Sequence, residues 1–321
     1  MSGSAATGMT GTAIEVWRGC ANAWECDHIG HFNTRYYVAR VELCLAALAR
    51  RLELTDLIDG TGAGHRLFVK AQHMRFLREA RAGAALHATG QVLRWGRDDA
   101  DVLFLLHHSR SGEIAATFRV TLAYVERGTD RPEVWPEQVT RAASALTCEA
   151  PSAAKPRSVS LVGAEVTASL ERARQLGLRT TGLGMIMPDV CDAHGQWRLS
   201  GFMGRVADSI PHLGNGEWRE VLARTAPGSP ARVGSALIEF HTVHVRWPRS
   251  GDACEVRSAL AGCTERVTYA SHWLLDPETG APWAAVRTVG IALDLDARRA
   301  LPLTAEAQAA YRAASVPDLG L

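Results

Sequence analysis

The 321-residue chain has no excess of charge of either sign: 35 basic and 34 acidic side chains leave a formal +1. That balance supplies no field for a nucleic-acid backbone or an anionic membrane, so neither is expected as a partner. The seven cysteines are irregularly spaced and include no C-x-x-C pair. A disulfide framework and a four-ligand zinc site are therefore not indicated, no metal is expected, and the cysteines read as reduced, buried thiols. No apolar run approaches the roughly 20 residues of a membrane span. The opening MSGSAATGMTGTAIEV lacks the basic start and long apolar stretch of a secretory signal, and a soluble, cytoplasmic protein is expected. Also missing are a G-x-S-x-G elbow, a Walker loop, a dinucleotide fingerprint and H-E-x-x-H, which argues against those chemistries. What is present is 47% hydrophobic residues, enough at this length to fill two domain cores.

The chain repeats itself. Cys26 to Glu42 and Cys191 to Ala207, offset by 165, share Cys26/Cys191, Asp27/Asp192, Gly30/Gly195, Arg40/Arg205 and Val41/Val206. Two further segment pairs recur in the same order: HMRFLR at 73–78 with HVRWPR at 244–249, offset 171, and GEIAATFR at 112–119 with GAPWAAVR at 280–287, offset 168. Offsets that differ by a few residues are what loop insertions leave between two copies of one fold.

In the first copy a β-like segment near 14–23 passes through a polar loop into an amphipathic helix. Tyr37, Val38, Val41, Leu45, Leu48 and Leu52 mark its apolar face. After a Gly-rich break at 60–64, strands are predicted near 66–77, 85–95, 101–109 and 114–125. The second copy predicts a strand near 181–188, a loop at 191–199 and a helix with an apolar stripe from Phe202 to Leu213, with Ser200 as its N-cap. Strands follow near 234–247, 253–262, 266–275 and 283–293, with DPETG at 276–280 as a hairpin turn. A helical stretch over about 160–176 is expected between the copies. The organisation expected is a first unit at 1–130, a linker at 131–160, and a second unit at 161–321 with a C-terminal helical extension.

The stretch WECDHIGHFNTRYY at 24–37 crowds Asp27, His28, His31 and Asn33 into the entry of the first helix. Asp27 reads either as a turn acceptor or as a reactive carboxylate, and Asn33 either as an N-cap or as a substrate ligand. His28 reads as a surface side chain.

Asp27, Gly30, His31, Asn33 and Tyr36 form D-x-x-G-H-x-N-x-x-Y immediately before the helix. In this the chain resembles the hotdog-fold acyl thioesterases, specifically the acyl-CoA branch typified by 4-hydroxybenzoyl-CoA thioesterase. With the duplication, the resemblance implies an α+β double hotdog: two tandem units, each a long helix wrapped by a curved antiparallel sheet. It implies an acyl-CoA thioesterase that needs no cofactor beyond the coenzyme A of its substrate, with a homo-oligomer of such chains as a further expectation. Plant acyl-ACP thioesterases resemble this loop through D-x-N-x-H, but Ile29 stands where that Asn would be, which weakens a carrier-protein reading.

Thioester hydrolysis needs a nucleophile or activated water, and donors for the charge developing on the carbonyl oxygen. The unpartnered N–H groups of a helix N-terminus supply such donors, here near Thr34. The resemblance gives Asp27 the role of nucleophile or general base, with His31 and Asn33 orienting the thioester or water. In the second copy Asp192 and Gly195 persist while Gln196 and Arg198 replace His31 and Asn33. His194 is gained, and Asp208 lies where another hotdog branch carries a helix-borne carboxylate. These three are secondary catalytic candidates, and the first loop is favoured as the competent one. Trp24, Tyr36, Tyr37 and Trp197 are candidates to line an acyl pocket. Arg75 and Arg78, with Arg246 and Arg249, are candidates to meet coenzyme A phosphates. Two alternatives stay open: an enoyl-thioester hydratase or dehydratase, whose D-x-N-P-x-H pattern is not met, and a non-catalytic acyl-thioester binder.

Overall fold

The computed structural model describes residues 13–54, 64–161, 165–214, 216–228, 230–317 and 319–320. The predicted Gly-rich break lies outside them except for Gly64. The architecture is mixed α+β, and the described residues separate into two compact units. The first holds residues up to Asn33 with Ala39–Lys70 and Leu77–Lys155, and the second holds Thr34–Val38, Ala71–Phe76 and Pro156 onward.

The first unit contains β1 (Ile14–Cys20), most of α1 (Thr34–Arg51), the start of β2 (His65–Phe76), β3 (Ala85–Trp95), β4 (Asp99–His108), β5 (Ile114–Glu126) and α2 (Glu137–Ser144). Its strands run in the order β1-β3-β4-β5-β2. The apolar stripe read from the sequence is the buried face of α1: Val41, Cys44 and Leu48 are at most 1% exposed. Leu45, Leu48 and Ala49 of α1 line a narrow apolar cavity with Leu67, Leu122, Trp95 and Trp135. Arg50 and Arg51 close the helix, where positive charge suits the carbonyl end of its dipole.

The second unit contains α3 (Leu170–Gln175), β6 (Arg179–Met185), α4 (Leu199–Leu213), α5 (Glu217–Thr225), β7 (Val233–His244), β8 (Ala253–Cys263), β9 (Thr268–Leu275), β10 (Pro282–Asp294), β11 (Arg299–Leu301) and α6 (Ala305–Ala313). Its order is β7-β10-β9-β8-β6, with β11 on β10, and residues 71–75 of β2 pair with β7. α5 has no counterpart in the sequence reading. It joins α6 over a cluster formed by Leu213, Trp218, Leu222, Leu303 and Tyr311.

Register shows the correspondence of the two sheets more directly than residue identity does. The β1–β3 ladder slips between Glu15 and Trp17, and the β6–β8 ladder slips between Thr180 and Gly182. The β3–β4 ladder slips between Val92 and Arg94, and the β8–β9 ladder slips between Leu260 and Gly262. The contents of the two interiors differ. Gly90 lies close to Phe104 and Val16 in the first sheet. The matching places in the second carry Ser258, His272 and Thr181, joined by bonds from Ser258 Oγ to His272 Nδ1 and Thr181 Oγ1, each 2.8 Å. His272 Nε2 lies 3.2 Å from Thr288 Oγ1, and burial pushes the ring's pKa down to about 4. The second interior therefore holds a neutral histidine with both nitrogens partnered, as a buried polar group requires.

Three expectations need correction. The 171 offset is three too long: Leu77 and Arg78 N–H both donate to Ala115, as Val245 and Arg246 do to Trp283, so Arg78 corresponds to Arg246 at 168. The repeated H-x-R letters misled because backbone bonding, not side-chain identity, sets strand register. Ser200 is not the N-cap of α4. Arg198 takes that place in extended geometry, and Ser200 is buried inside the helix. The helix expected over 160–176 is confined to Leu170–Gln175 among the described residues, beginning where Ser169 Oγ accepts Arg172 N–H at 3.1 Å. Val166, Ala168 and Leu170 instead pack on the second sheet against Trp273 and Ala285.

Candidate active site

The loop from Cys26 to Asn33 is shaped by Asp27. Its Oδ1 accepts the N–H groups of Ile29 and His31, each at 3.0 Å. Its own N–H donates to His31 O at 2.8 Å, and Gly30 N–H donates to Asp27 O at 2.9 Å. Gly30 has φ +81, the left-handed conformation such a tight turn asks of a glycine. Cys26 and Phe32 then form an isolated bridge, Asn33 N–H donates to Glu25 O at 2.9 Å, and α1 starts at the next residue. Asp27 is half-buried.

The base of the loop is held by a buried ion pair that the sequence pattern does not announce. Arg40 Nη2 reaches both carboxylate oxygens of Glu25 at 2.7 and 2.6 Å, and Asn22 N–H adds a bond at 3.0 Å. The Arg40 guanidinium also lies over Trp17 and Phe32 at 5.0 and 5.3 Å. The identity Arg40/Arg205 was the available signal, but Arg205 donates instead to Met185 O, at 2.8 Å.

The second loop repeats the first bond for bond. Asp192 Oδ1 accepts His194 and Gln196 N–H groups at 2.9 Å each, Gly195 has φ +74, and Cys191 bridges Trp197. Its helix entry is closed, however. Trp197 is 3% exposed and packs so tightly on Gly201 that an added Cβ would lie 2.3 Å from the indole Nε1. Trp247 donates to Trp197 O at 2.5 Å, and Phe202, Trp247 and His244 complete an aromatic plug. Gly201→Ala is expected to lower unfolding stability by about 1–3 kcal/mol; a chemical-denaturation midpoint equal to wild type would contradict this packing.

The remaining candidates disperse. Asp192 and Asp208 are exposed, and Asn33, Thr34 and Tyr36 are half-buried at the α1 entry. His194 donates its N–H to Asp192. Tyr37 is 4% exposed and packs edge-on against Phe76 at 4.9 Å. Trp197 is likewise core, whereas Trp24, 75% exposed, stands on the surface. Arg75 sits on β2 opposite Glu239. Arg246 lies over Trp283 at 4.2 Å, and Arg249 donates its N–H to Asp252 at 2.7 Å.

Arg78 belongs to an open cleft of about 420 Å³ in the first unit, lined also by Glu79, His108, Arg110, Ser111 and Glu113. The cleft adjoins the Asp27 loop through Glu79, which lies 3.1 Å from His31 Nε2. Glu79, Arg110 and Trp247 are further residues the sequence reading passed over.

Residues 21–143, which span the Asp27 loop and α1, match the model of the thioesterase-like superfamily. Among solved structures, a Lactobacillus plantarum protein assigned as an oleoyl thioesterase is similar at 12% identity and TM-score 0.66, over 91% of this chain and 98% of that one. The 12:0-ACP thioesterase of Umbellularia californica is similar at 12% identity and TM-score 0.62, over 89% and 99%. An acyl-ACP thioesterase of Bacteroides thetaiotaomicron is similar at 11% identity and TM-score 0.60, over 85% and 96%. These likenesses show a shared fold. No curated protein is significantly similar in sequence.

Proposed function

We propose that the chain is an acyl-CoA thioesterase made of two tandem hotdog units, with its working loop in the first. The observation that carries this reading is the contrast between two loops of one design. Both hold an aspartate on two backbone N–H groups, but the second leads into a helix entry filled by Trp197. In the first, the Asp27 carboxylate acts on the thioester carbonyl or on water, and the first N–H groups of α1 take up the charge developing on oxygen. Asn33 and Tyr36 stand at that entry, where they orient the acyl group.

Arg78 and Arg110 supply the Glu79 cleft with guanidinium groups for phosphates of coenzyme A. The Arg78→Gln/Arg110→Gln variant is expected to raise KM for an acyl-CoA about tenfold with kcat little changed, and to weaken the dependence of KM on salt. The function itself is tested by thiol release over a panel of acyl-CoAs. Loss of crotonyl-CoA absorbance without free thiol would establish a hydratase instead. Acyl-CoA binding with no turnover anywhere in the panel would establish a binder.

A further inference from the structure

We infer that β6 is the edge by which two copies of the chain pair, antiparallel about a two-fold axis at Gly184. The inference goes beyond the hydrolase reading and does not depend on it.

The first observation is an apolar stripe on an edge strand. β6 ends the strand order of the second unit, and among the described residues it pairs on one side only, with β8. Leu183, Met185 and Met187, at two-residue steps and therefore on one face, are 67%, 50% and 57% exposed. The other face is packed: Ile186 is buried, Gly184 lies against the Arg205 guanidinium, and Gly182 lies against Val256. Ile186 N–H donates to Asp252 O at 2.8 Å and its carbonyl accepts Gly251 N–H at 2.9 Å, so both its backbone groups face β8. Alternation along an antiparallel strand turns those of Leu183 and Met185 to the free side. There Arg205 donates to Met185 O at 2.8 Å, and the second lone pair of that carbonyl is left for another donor.

The second observation is what the first unit carries at the same places. Arg40 Nη2 lies 3.5 Å from Cys20 O, as Arg205 reaches Met185 O. Glu25 N–H donates to Asn22 O, as Val190 N–H does to Met187 O. Cys20 and Asn22 therefore match Met185 and Met187, and Arg18, opposite His87 on β3 as Leu183 is opposite Glu255 on β8, matches Leu183. The β1 edge thus bears a charge, held by Glu15 at 2.7 and 2.6 Å, which is a usual protection of an edge strand against pairing. On β6 that charge is gone and an exposed apolar stripe replaces it, the mark of a contact surface.

The occupant follows from self-complementarity. Leu183 and Met185 stand one position to either side of Gly184, so pairing centred there sets Leu183 opposite the partner's Met185. The residues whose backbone groups point outward are then the ones that exchange bonds. Arg179 and Asp189, both exposed, stand five positions to either side of the same glycine, and the register carries Arg179 to the partner's Asp189. Each contact occurs twice about the axis, as an isologous interface requires. A strand of another protein would satisfy the backbone groups, but opposite charges at equal distances from one glycine belong to this chain's own sequence.

The test is the molar mass of the full chain by sedimentation equilibrium over a concentration series. The wild type is expected to be a reversible dimer with Kd of about 10 µM, as fits a short strand pair. Leu183→Lys/Met185→Lys sets like charges directly opposite one another and is expected to weaken dimerisation at least about 100-fold, with a thermal unfolding midpoint near wild type because both side chains are exposed. Arg179→Glu and Asp189→Arg are each expected to weaken it about tenfold, and Arg179→Glu/Asp189→Arg to return to within about threefold of wild type, since both copies then carry the pair with signs exchanged. A wild-type chain still monomeric at about 100 µM would overturn the proposal and leave the edge to a strand of another protein. A dimer that survives the lysine pair would overturn it by placing the interface elsewhere, and a double exchange no tighter than either single one would overturn the register on which it rests.

Discussion

Asp27→Asn is expected to reduce thioester hydrolysis about 100- to 1,000-fold, the usual effect of losing a general base or a charge built for the transition state, while the fold stays intact. Asparagine keeps an Oδ1 that accepts the N–H groups of Ile29 and His31, so the turn survives and the charge does not. Asp192→Asn is the internal control. It makes the same change in a loop of the same geometry, and its activity is expected within about twofold of wild type because Trp197 closes that helix entry. Steady-state kinetics and thermal unfolding of the two variants side by side decide the matter. Equal losses in both would move the active site or divide it. A loss in Asp27→Asn that followed its unfolding would leave the aspartate only a structural part.

The largest effect on stability is expected from Glu25→Gln. It leaves the Arg40 guanidinium, 10% exposed, facing an uncharged amide in place of a carboxylate that is 7% exposed. Stranding one partner of a buried pair costs about 3–5 kcal/mol, measurable by urea unfolding at neutral pH. Replacing both partners, as Glu25→Leu/Arg40→Met, is expected to recover much of that loss, because neither group is then left unpaired. A Glu25→Gln loss under about 1 kcal/mol would show that solvent reaches the pair. The effect also has a sign with pH. Burial alone would push the Glu25 carboxyl up, but Arg40 and the Asn22 amide outweigh it and hold the group below its ordinary 4.5. A depressed carboxylate contributes its stability in full above that ordinary value and loses it as pH falls through the depressed one. The gap between wild type and Glu25→Gln should therefore be wide at pH 7 and close in acid.

Much of the architecture was legible because strand and helix periods are written residue by residue. The predicted strand at 85–95 is β3 to the residue, and DPETG forms its turn, with Gly280 N–H on Asp276 O at 2.9 Å. The errors fall where local pattern competes with tertiary bonding. Residues 165–169 carry helical spacing but give their apolar groups to the second sheet. Ser200 has a capping side chain, but the loop geometry shared with the first unit starts the helix earlier. The aromatic candidates sorted by packing in a way type alone does not tell: Trp24 is on the surface, while Tyr37 and Trp197 are in the core.

The sequence by itself determined most of the order of elements and the loop that carries Asp27, since each is a matter of period, spacing or identity along the chain. Only the tertiary structure decided that Trp197 packs into the α4 entry against Gly201 and which residues stand beside each loop. Glu79 lies 48 positions from His31, and Trp247 lies 50 from Trp197; strand pairing joins such residues, and no local pattern encodes that meeting. The same aspartate, on the same two amides, takes its chemical meaning from neighbours that the fold brings in.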